Sequence, residues 1–200
     1  MSRLCESLIA KSIDVSCDEI TFKGLEPDGL IINRSDIDMA ATEFDTQCPN
    51  IIKSLVLNSG KKGYDIAQLG NTPFTGTTTS METGTYKNSW TNNVPIAVLA
   101  NGPEVAAEII DKLANGQFVV ILKNKAKGTN GKSEYQVYGF YQGLTASAGE
   151  NDKYSDETEG GWLITLTESK VPKSALFFYN TDAAATKAAY ESLRGGGAGA

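Results

Sequence analysis

Residues 104–167 read EVAAEIIDKLANGQFVVILKNKAKGTNGKSEYQVYGFYQGLTASAGENDKYSDETEGGWLITLT, and this stretch decides the fold. Val105, Ile109, Ile110 and Leu113 fall on one face of a helix that opens at Pro103 and Glu104. Proline suits a first helical turn and a carboxylate complements its positive end. Asn115-Gly116 stops the helix. Phe118 to Leu122 is an unbroken apolar run, so the spacing predicts a strand covered on both faces. Asn130-Gly131 predicts a hairpin turn, flanked by Lys123, Lys125, Lys127 and Lys132. Tyr135, Val137, Gly139 and Tyr141 then alternate with more polar positions in the returning strand. Gly143 to Gly161 reads as a long acidic loop carrying Glu150, Asp152, Asp156, Glu157 and Glu159. Trp162, Ile164 and Leu166 alternate in a last strand.

Outward from this stretch the signals are weaker. Pro27-Asp28-Gly29 is a turn signal before a short strand at Leu30 to Ile32. Ile51 to Leu57 is strand-like, Ser59 to Gly63 is a turn, and Tyr64, Ile66 and Leu69 read most simply as the return strand of a hairpin. Thr72 to Trp90, with Thr77, Thr78 and Thr79, predicts an extended arm or loop that needs a partner. Trp90 to Leu99 is a strand in which Pro95 marks an edge or a bulge. Ala175 to Tyr179 predicts a short edge strand, and Ala183 to Leu193 a peripheral helix. The division that follows is an N-terminal arm at 1–18, one β domain at 19–180, and a helix with a flexible Gly/Ala tail at 181–200. The fold class is mainly β with some helix (α+β). It is an antiparallel β-sandwich or half-barrel with one flanking core helix, plus the C-terminal helix.

Composition narrows the function more by exclusion than by signature. The chain has 200 residues, 40% of them hydrophobic and 21% charged, and a domain of that length buries a core without disulfides or metals. The net charge of −6 gives no general electrostatic attraction to phosphates. Cys5, Cys17 and Cys48 are an odd number with no CxxC spacing. They read as buried or half-buried thiols of a reducing compartment. Leu4 to Cys17 is interrupted by Glu6, Lys11 and Asp14, so it lacks the apolar run of an export signal. No stretch has the length of a membrane span.

The chain contains no histidine, which removes the commonest general base and metal ligand. No Ser-His-Asp or Cys-His set is possible. Gly128 to Ser133 mimics the end of a phosphate loop, but its glycines are too close and no helix N-terminus follows. The acidic loop lacks the ligand alternation of a calcium site. The expectation is a non-enzyme with no cofactor and no metal. The lysines at 123, 125, 127 and 132 either solubilise a tip or meet the acidic loop of a neighbouring copy. A glycan-binding module using Trp90, Trp162 and the tyrosines as stacking platforms is the reading from another class.

A resemblance adds to this. Ala114 to Lys125, Tyr138-Gly139, Gly143 to Ala146 and Gly160 to Leu166 resemble tail-associated virion proteins of phages infecting Bacteroides-type bacteria. Asn33 to Ile37 and the two early cysteines extend the likeness over roughly residues 1 to 180. In layout it is similar to tail tube proteins and to related connector or terminator rings. The resemblance implies a subunit of a homo-oligomeric ring, a hexamer or larger, closed through an inner β-barrel around a lumen. DNA would pass without specific binding, and other tail or connector proteins would be partners. Assembly would take place in the host cytoplasm and the final location would be the virion tail, with no membrane. A head-completion or decoration protein is the alternative within the same class. The implied inter-subunit contacts are Lys123, Lys125, Lys127, Lys132, Glu150, Asp152, Asp156, Glu157, Glu159, Thr77, Thr78 and Thr79.

Overall fold

The computed structural model describes residues 22–195 together with Ile9 and Ile13. The proposed N-terminal arm and the last residues of the Gly/Ala tail therefore lie outside the described residues, as do Cys5 and Cys17. Among the described residues, eleven strands form two sheets. The larger is seven-stranded: β1 (Leu25–Asn33), β2 (Glu43–Phe44), β3 (Ile51–Ser54), β4 (Tyr64–Ala67), β7 (Phe118–Asn124), β8 (Tyr135–Tyr138) and β11 (Leu176–Phe178), in the order β2-β3-β11-β8-β7-β1-β4. The smaller holds β5 (Thr78–Glu82), β6 (Ser89–Val98), β9 (Thr145–Glu150) and β10 (Trp162–Val171), in the order β5-β6-β10-β9. Neither closes into a barrel, and the mainly β sandwich expected from the sequence is what forms.

The large sheet is a middle layer, and the apolar run in β7 explains why. Val119 and Ile121 pack in one core with Leu30, Ile32, Phe178 and Tyr190. Val120 and Leu122 pack in the other with Val94, Ile96, Ile164 and Leu166 of the small sheet. Alternate residues of a strand point to opposite faces, so a strand covered on both sides must be apolar at every position. The C-terminal helix, Ala183–Gly195, covers the first face. It is no peripheral element: Thr186, Tyr190 and Leu193 are buried in the sheet contact. Its attachment is aromatic and ionic. The Tyr190 ring lies 4.7 Å from that of Tyr135, under the Lys123 ammonium at 4.9 Å and the Arg194 guanidinium at 5.1 Å. Arg194 reaches Asp65 at 2.7 Å, and Lys123 pairs with Asp28.

Several sequence expectations need correction. β4 does not return beside β3; it pairs antiparallel with β1, at the opposite end of the sheet. Local spacing suggested a hairpin, but Ile66 is better buried against the second core. The Pro27-Asp28-Gly29 turn signal is instead an irregularity inside β1, where the register shifts between Leu25 and Gly29. β11 is an interior strand, parallel to β3 and antiparallel to β8. One pairing thus breaks the all-antiparallel expectation. Thr72 to Trp90 is not an arm awaiting a partner. Phe74 is buried in the core, and Thr78–Glu82 pairs with Ser89–Asn93 of its own chain. The acidic loop is shorter than expected, because Thr145–Glu150 is strand β9. Cys48 is exposed rather than buried.

The helix over 103–115 forms, with one departure. Ala106–Ile110 is a wider π turn between two α segments. Ile110 and Leu113 are buried, yet Ile109 is 42% exposed. The extra backbone in the wide turn rotates one member of the predicted stripe out of the core. Pro95 meets its expectation. β5 ends opposite Asn93, and the Pro95 carbonyl accepts from Gln68 Nε2 at 3.4 Å instead of from a strand. The missing N–H therefore sits where no ladder partner runs. At Asn130 and Gly131 the backbone takes φ values of 56° and 77°, the left-handed pair that an Asn-Gly turn provides.

Buried phenols set one pH response. Burial and the nearby Glu134, Glu191 and Asp28 carboxylates push Tyr135 up to about 12. Burial also raises Tyr138 and Tyr190. An unfolded phenol titrates near ~10, so above that pH the unfolded chain has lost protons that the folded chain keeps. Stability must then fall as pH rises from about 10 towards 12. Urea melts at pH 8, 10 and 11 should show a declining midpoint, with these phenolates appearing in the ultraviolet spectrum only as the chain unfolds. Free titration of all tyrosines at the ordinary value, without loss of structure, would contradict the burial.

Candidate assembly surface

The small sheet has two chemically different faces. Inward, Ile96 stands opposite Ile164 and Val94 opposite Leu166, all buried against the middle layer. Outward, the paired positions are Thr78, Ser80 and Glu82 on β5, and Ser89, Thr91, Asn93, Pro95 and Ala97 on β6. They continue with Leu163, Thr165 and Thr167 on β10 and Thr145, Ala148 and Glu150 on β9. No lysine or arginine stands among them.

A row of hydrogen bonds crosses this outer face from edge to edge. Asn93 Nδ2 donates to Thr78 Oγ1 at 3.3 Å. Thr167 Oγ1 donates to Asn93 Oδ1 at 2.8 Å. The Ser147 and Thr167 hydroxyls lie 2.7 Å apart. Thr91 also donates to Glu82. These bonds satisfy the polar groups along the row from Thr78 to Ser147 among themselves.

Both edge strands of this sheet are open among the described residues. β5 has β6 on one side only, and β9 has β10 on one side only. Direction alternates across all four strands, since each neighbouring pair is antiparallel. The two edges occupy diagonal corners: β5 lies beside Ser89–Asn93, while β9 lies beside Leu163–Thr167. The acidic loop joins β9 to β10 at the Trp162 end, and the β5–β6 turn lies at the other end. Tyr86 at that turn is fully exposed.

The large and small sheets are tied by a polar clamp on the chain crossing between β8 and β9. Glu168 is 2% exposed. Its carboxylate accepts from Gly139 N at 2.9 Å, Gln142 N at 2.7 Å and Asn92 Nδ2 at 3.2 Å. From the other side Arg34 donates to the carbonyls of Phe140, at 3.3 Å, and Tyr141, at 2.7 Å. One anion thus holds the N–H groups of the turn and one cation its C=O groups. Gly139 takes φ 86°, and a Cβ there would stand 2.3 Å from the Phe118 carbonyl. Burial, helped by the negative Glu168, raises the Tyr141 phenol. Sequence reading missed Glu168 and Arg34, because nothing in local spacing distinguishes a buried glutamate from its exposed neighbours.

The residues expected to contact a neighbour are scattered. Within the chain, Lys123 pairs with Asp28 and lies over the Tyr135 and Tyr190 rings. Lys127 pairs with Glu134 at 3.0 Å, and Lys132 stands 5.8 Å from the Tyr179 ring centre. Lys125 is exposed beside Gly24. Of the acidic set, Glu150 closes β9 on the outer face. Asp152 caps its own turn by accepting from Tyr154 N. Asp156, Glu157 and Glu159 border a hollow with Gln68 and Leu69. The three threonines divide: Thr77 bonds back to Phe74, Thr78 joins the outer row, and Thr79 donates inward to Asn92. Trp162 packs against the second core, so it offers no open stacking platform.

Among the described residues no group of His, Cys, Asp and Glu is placed to hold a metal ion, and no helix is long and apolar enough to cross a membrane. Fold and surface together define an α+β sandwich with an open-edged sheet whose paired outward positions are polar or small and carry no lysine or arginine. The chain matches no protein-family model, no curated protein and no solved structure.

Proposed function

We propose that the chain is a structural subunit of a phage virion, a tail tube or tail ring protein. Its copies close into a homo-oligomeric ring that gives DNA a passage. The observation that carries this reading is the small sheet, with its alternating directions, two open edges and paired outward positions that hold no lysine or arginine; exposed Lys170 stands in the β10 bulge outside them. An even number of alternating strands leaves β5 and β9 pointing oppositely. The β5 of one copy can therefore lie antiparallel beside the β9 of the next without any reversal. Repetition of that heterologous contact gives a closed ring and removes the exposed strand edges. The diagonal offset of the two edges supplies a stagger, which tilted strands in a barrel require.

The chemistry of the outer face fits a wall past which DNA slides. A row of its side chains from Thr78 to Ser147 is mutually bonded, and its only charges among the paired positions are Glu82 and Glu150. Paired positions without Lys or Arg neutralise no phosphates and release no counterions. Repulsion acts only within roughly 8 Å at physiological salt, so it prevents adhesion without hindering entry. The virion location and partner tail proteins belong to this same reading.

Electron microscopy of the purified chain tests it: rings or tubes are expected, and a monodisperse monomer at high concentration would end the proposal. Met81→Lys sharpens the test. Met81 is 52% exposed on edge strand β5, so the monomer should keep its stability within about 0.5 kcal/mol. A lysine on an edge strand opposes strand addition, and ring formation should drop while circular dichroism stays unchanged.

A further inference from the structure

A second surface, away from the small sheet's edges, is also left uncovered. Between edge strand β4, the end of β6 and the helix over 103–115 runs a groove of about 1030 Å³. Its apolar lining includes Ile66, Val98 and four exposed side chains: Tyr64 at 52%, Leu69 at 82%, Leu99 at 47% and Ile109 at 42%. Ile109 faces it because the π turn rotated that residue out of the core stripe. Polar groups at the rim are already engaged: Asp65 by Arg194, Glu108 by Lys112. A small ligand is normally oriented by convergent polar groups, and these are spoken for. The groove asks for an apolar, elongated occupant.

The chain carries such a segment. Leu4, Leu8, Ile9 and Ile13 recur at helical spacing before the first strand. Ile9 is 69% exposed and Ile13 is 91% exposed, and Phe22, where the segment joins the domain, is 66% exposed. Exposed Ile13 and Phe22 thus coexist with the apolar groove in one copy, and burying each on the other is open to two copies. We infer that the N-terminal segment of one copy docks in the β4–β6–helix groove of a second copy, as an apolar helix face laid in a groove. The contact is heterologous, so it propagates from copy to copy. It rests on the reading of the chain as a self-assembling subunit and adds to it a joint outside the small sheet.

The test is photo-cross-linking of the full chain with a benzophenone amino acid in place of Ile13. Isotopically heavy and light chains are mixed before assembly. Cross-linked peptides should join position 13 to residues 64–69 or 109, and about half should pair a heavy with a light peptide. Ile109→Asp with Leu69→Asp should lower the yield at least about tenfold, the loss expected from two spoiled apolar contacts. Both sites are exposed in the single copy, so folding should survive, as circular dichroism will show. Rings or tubes that form normally while position 13 cross-links elsewhere, or only within its own chain, overturn the docking and leave the proposed function standing. A chain that stays monomeric and gives no cross-link between copies overturns both.

Discussion

Replacing Glu168 by alanine is expected to lower the unfolding free energy by about 3 kcal/mol or more. The loss follows from the donors left behind. Gly139 N, Gln142 N and Asn92 Nδ2 all point at this carboxylate, and each buried donor without a partner costs roughly 1–3 kcal/mol. Glu168→Gln should cost less but still measurably, because an amide offers one acceptor oxygen and turns an NH₂ towards a donor. Urea denaturation is the measurement: the midpoint should fall with the slope unchanged. An alanine variant within about 1 kcal/mol of the parent would show that water replaces the carboxylate, and the clamp would lose its role. Because Glu168 holds the crossing between the two sheets, the same variant should also loosen the small sheet, and assembly with it.

The second large effect is expected at Tyr190. Tyr190→Ala should cost about 3–5 kcal/mol, the range for emptying a buried aromatic site. The ring is fully buried, tilted against Tyr135 at 39° and flanked by two cations. Tyr190→Phe should cost under about 1 kcal/mol. The hydroxyl makes no hydrogen bond of good geometry, and the Arg194 guanidinium stands 5.1 Å from the ring centre. Thermal melts of the two variants decide the matter. Equal losses would mean that the hydroxyl, not the ring, anchors the helix. Small losses in both would return the C-terminal helix to the peripheral status that its alanine-rich sequence suggested.

Sequence and structure agree where the signal is local and strong. The run Phe118 to Leu122 announced a doubly covered strand because an apolar side chain at every position has no other stable setting. Trp162, Ile164 and Leu166 announced a half-buried one through their alternation. Pro95 and Asn130-Gly131 carried their own backbone restrictions and sit where those are tolerated. Agreement fails where partners are chosen at a distance. Tyr64 to Ala67 reads as half of a hairpin with Ile51 to Ser54, yet the chain places it beyond β1, where Ile66 finds apolar company. Thr72 to Trp90 looked unfinished because Thr, Ser and Gly announce no core, whereas its pairing partner was the next segment along. The outer face of the small sheet was not legible either, since it draws residues from four separate strands.

The residue order by itself determined a mainly β domain, its core helix, its C-terminal helix and the absence of histidine, because periodicity and composition act within a few residues. Only the tertiary structure decided which strands neighbour one another, and that Glu168 and Arg34 grip the same crossing turn. It also decided that the cations of Lys123 and Arg194 are turned inward onto tyrosine. Those outcomes depend on burial shared among residues distant in the chain, and burial belongs to the packed whole rather than to any window of sequence.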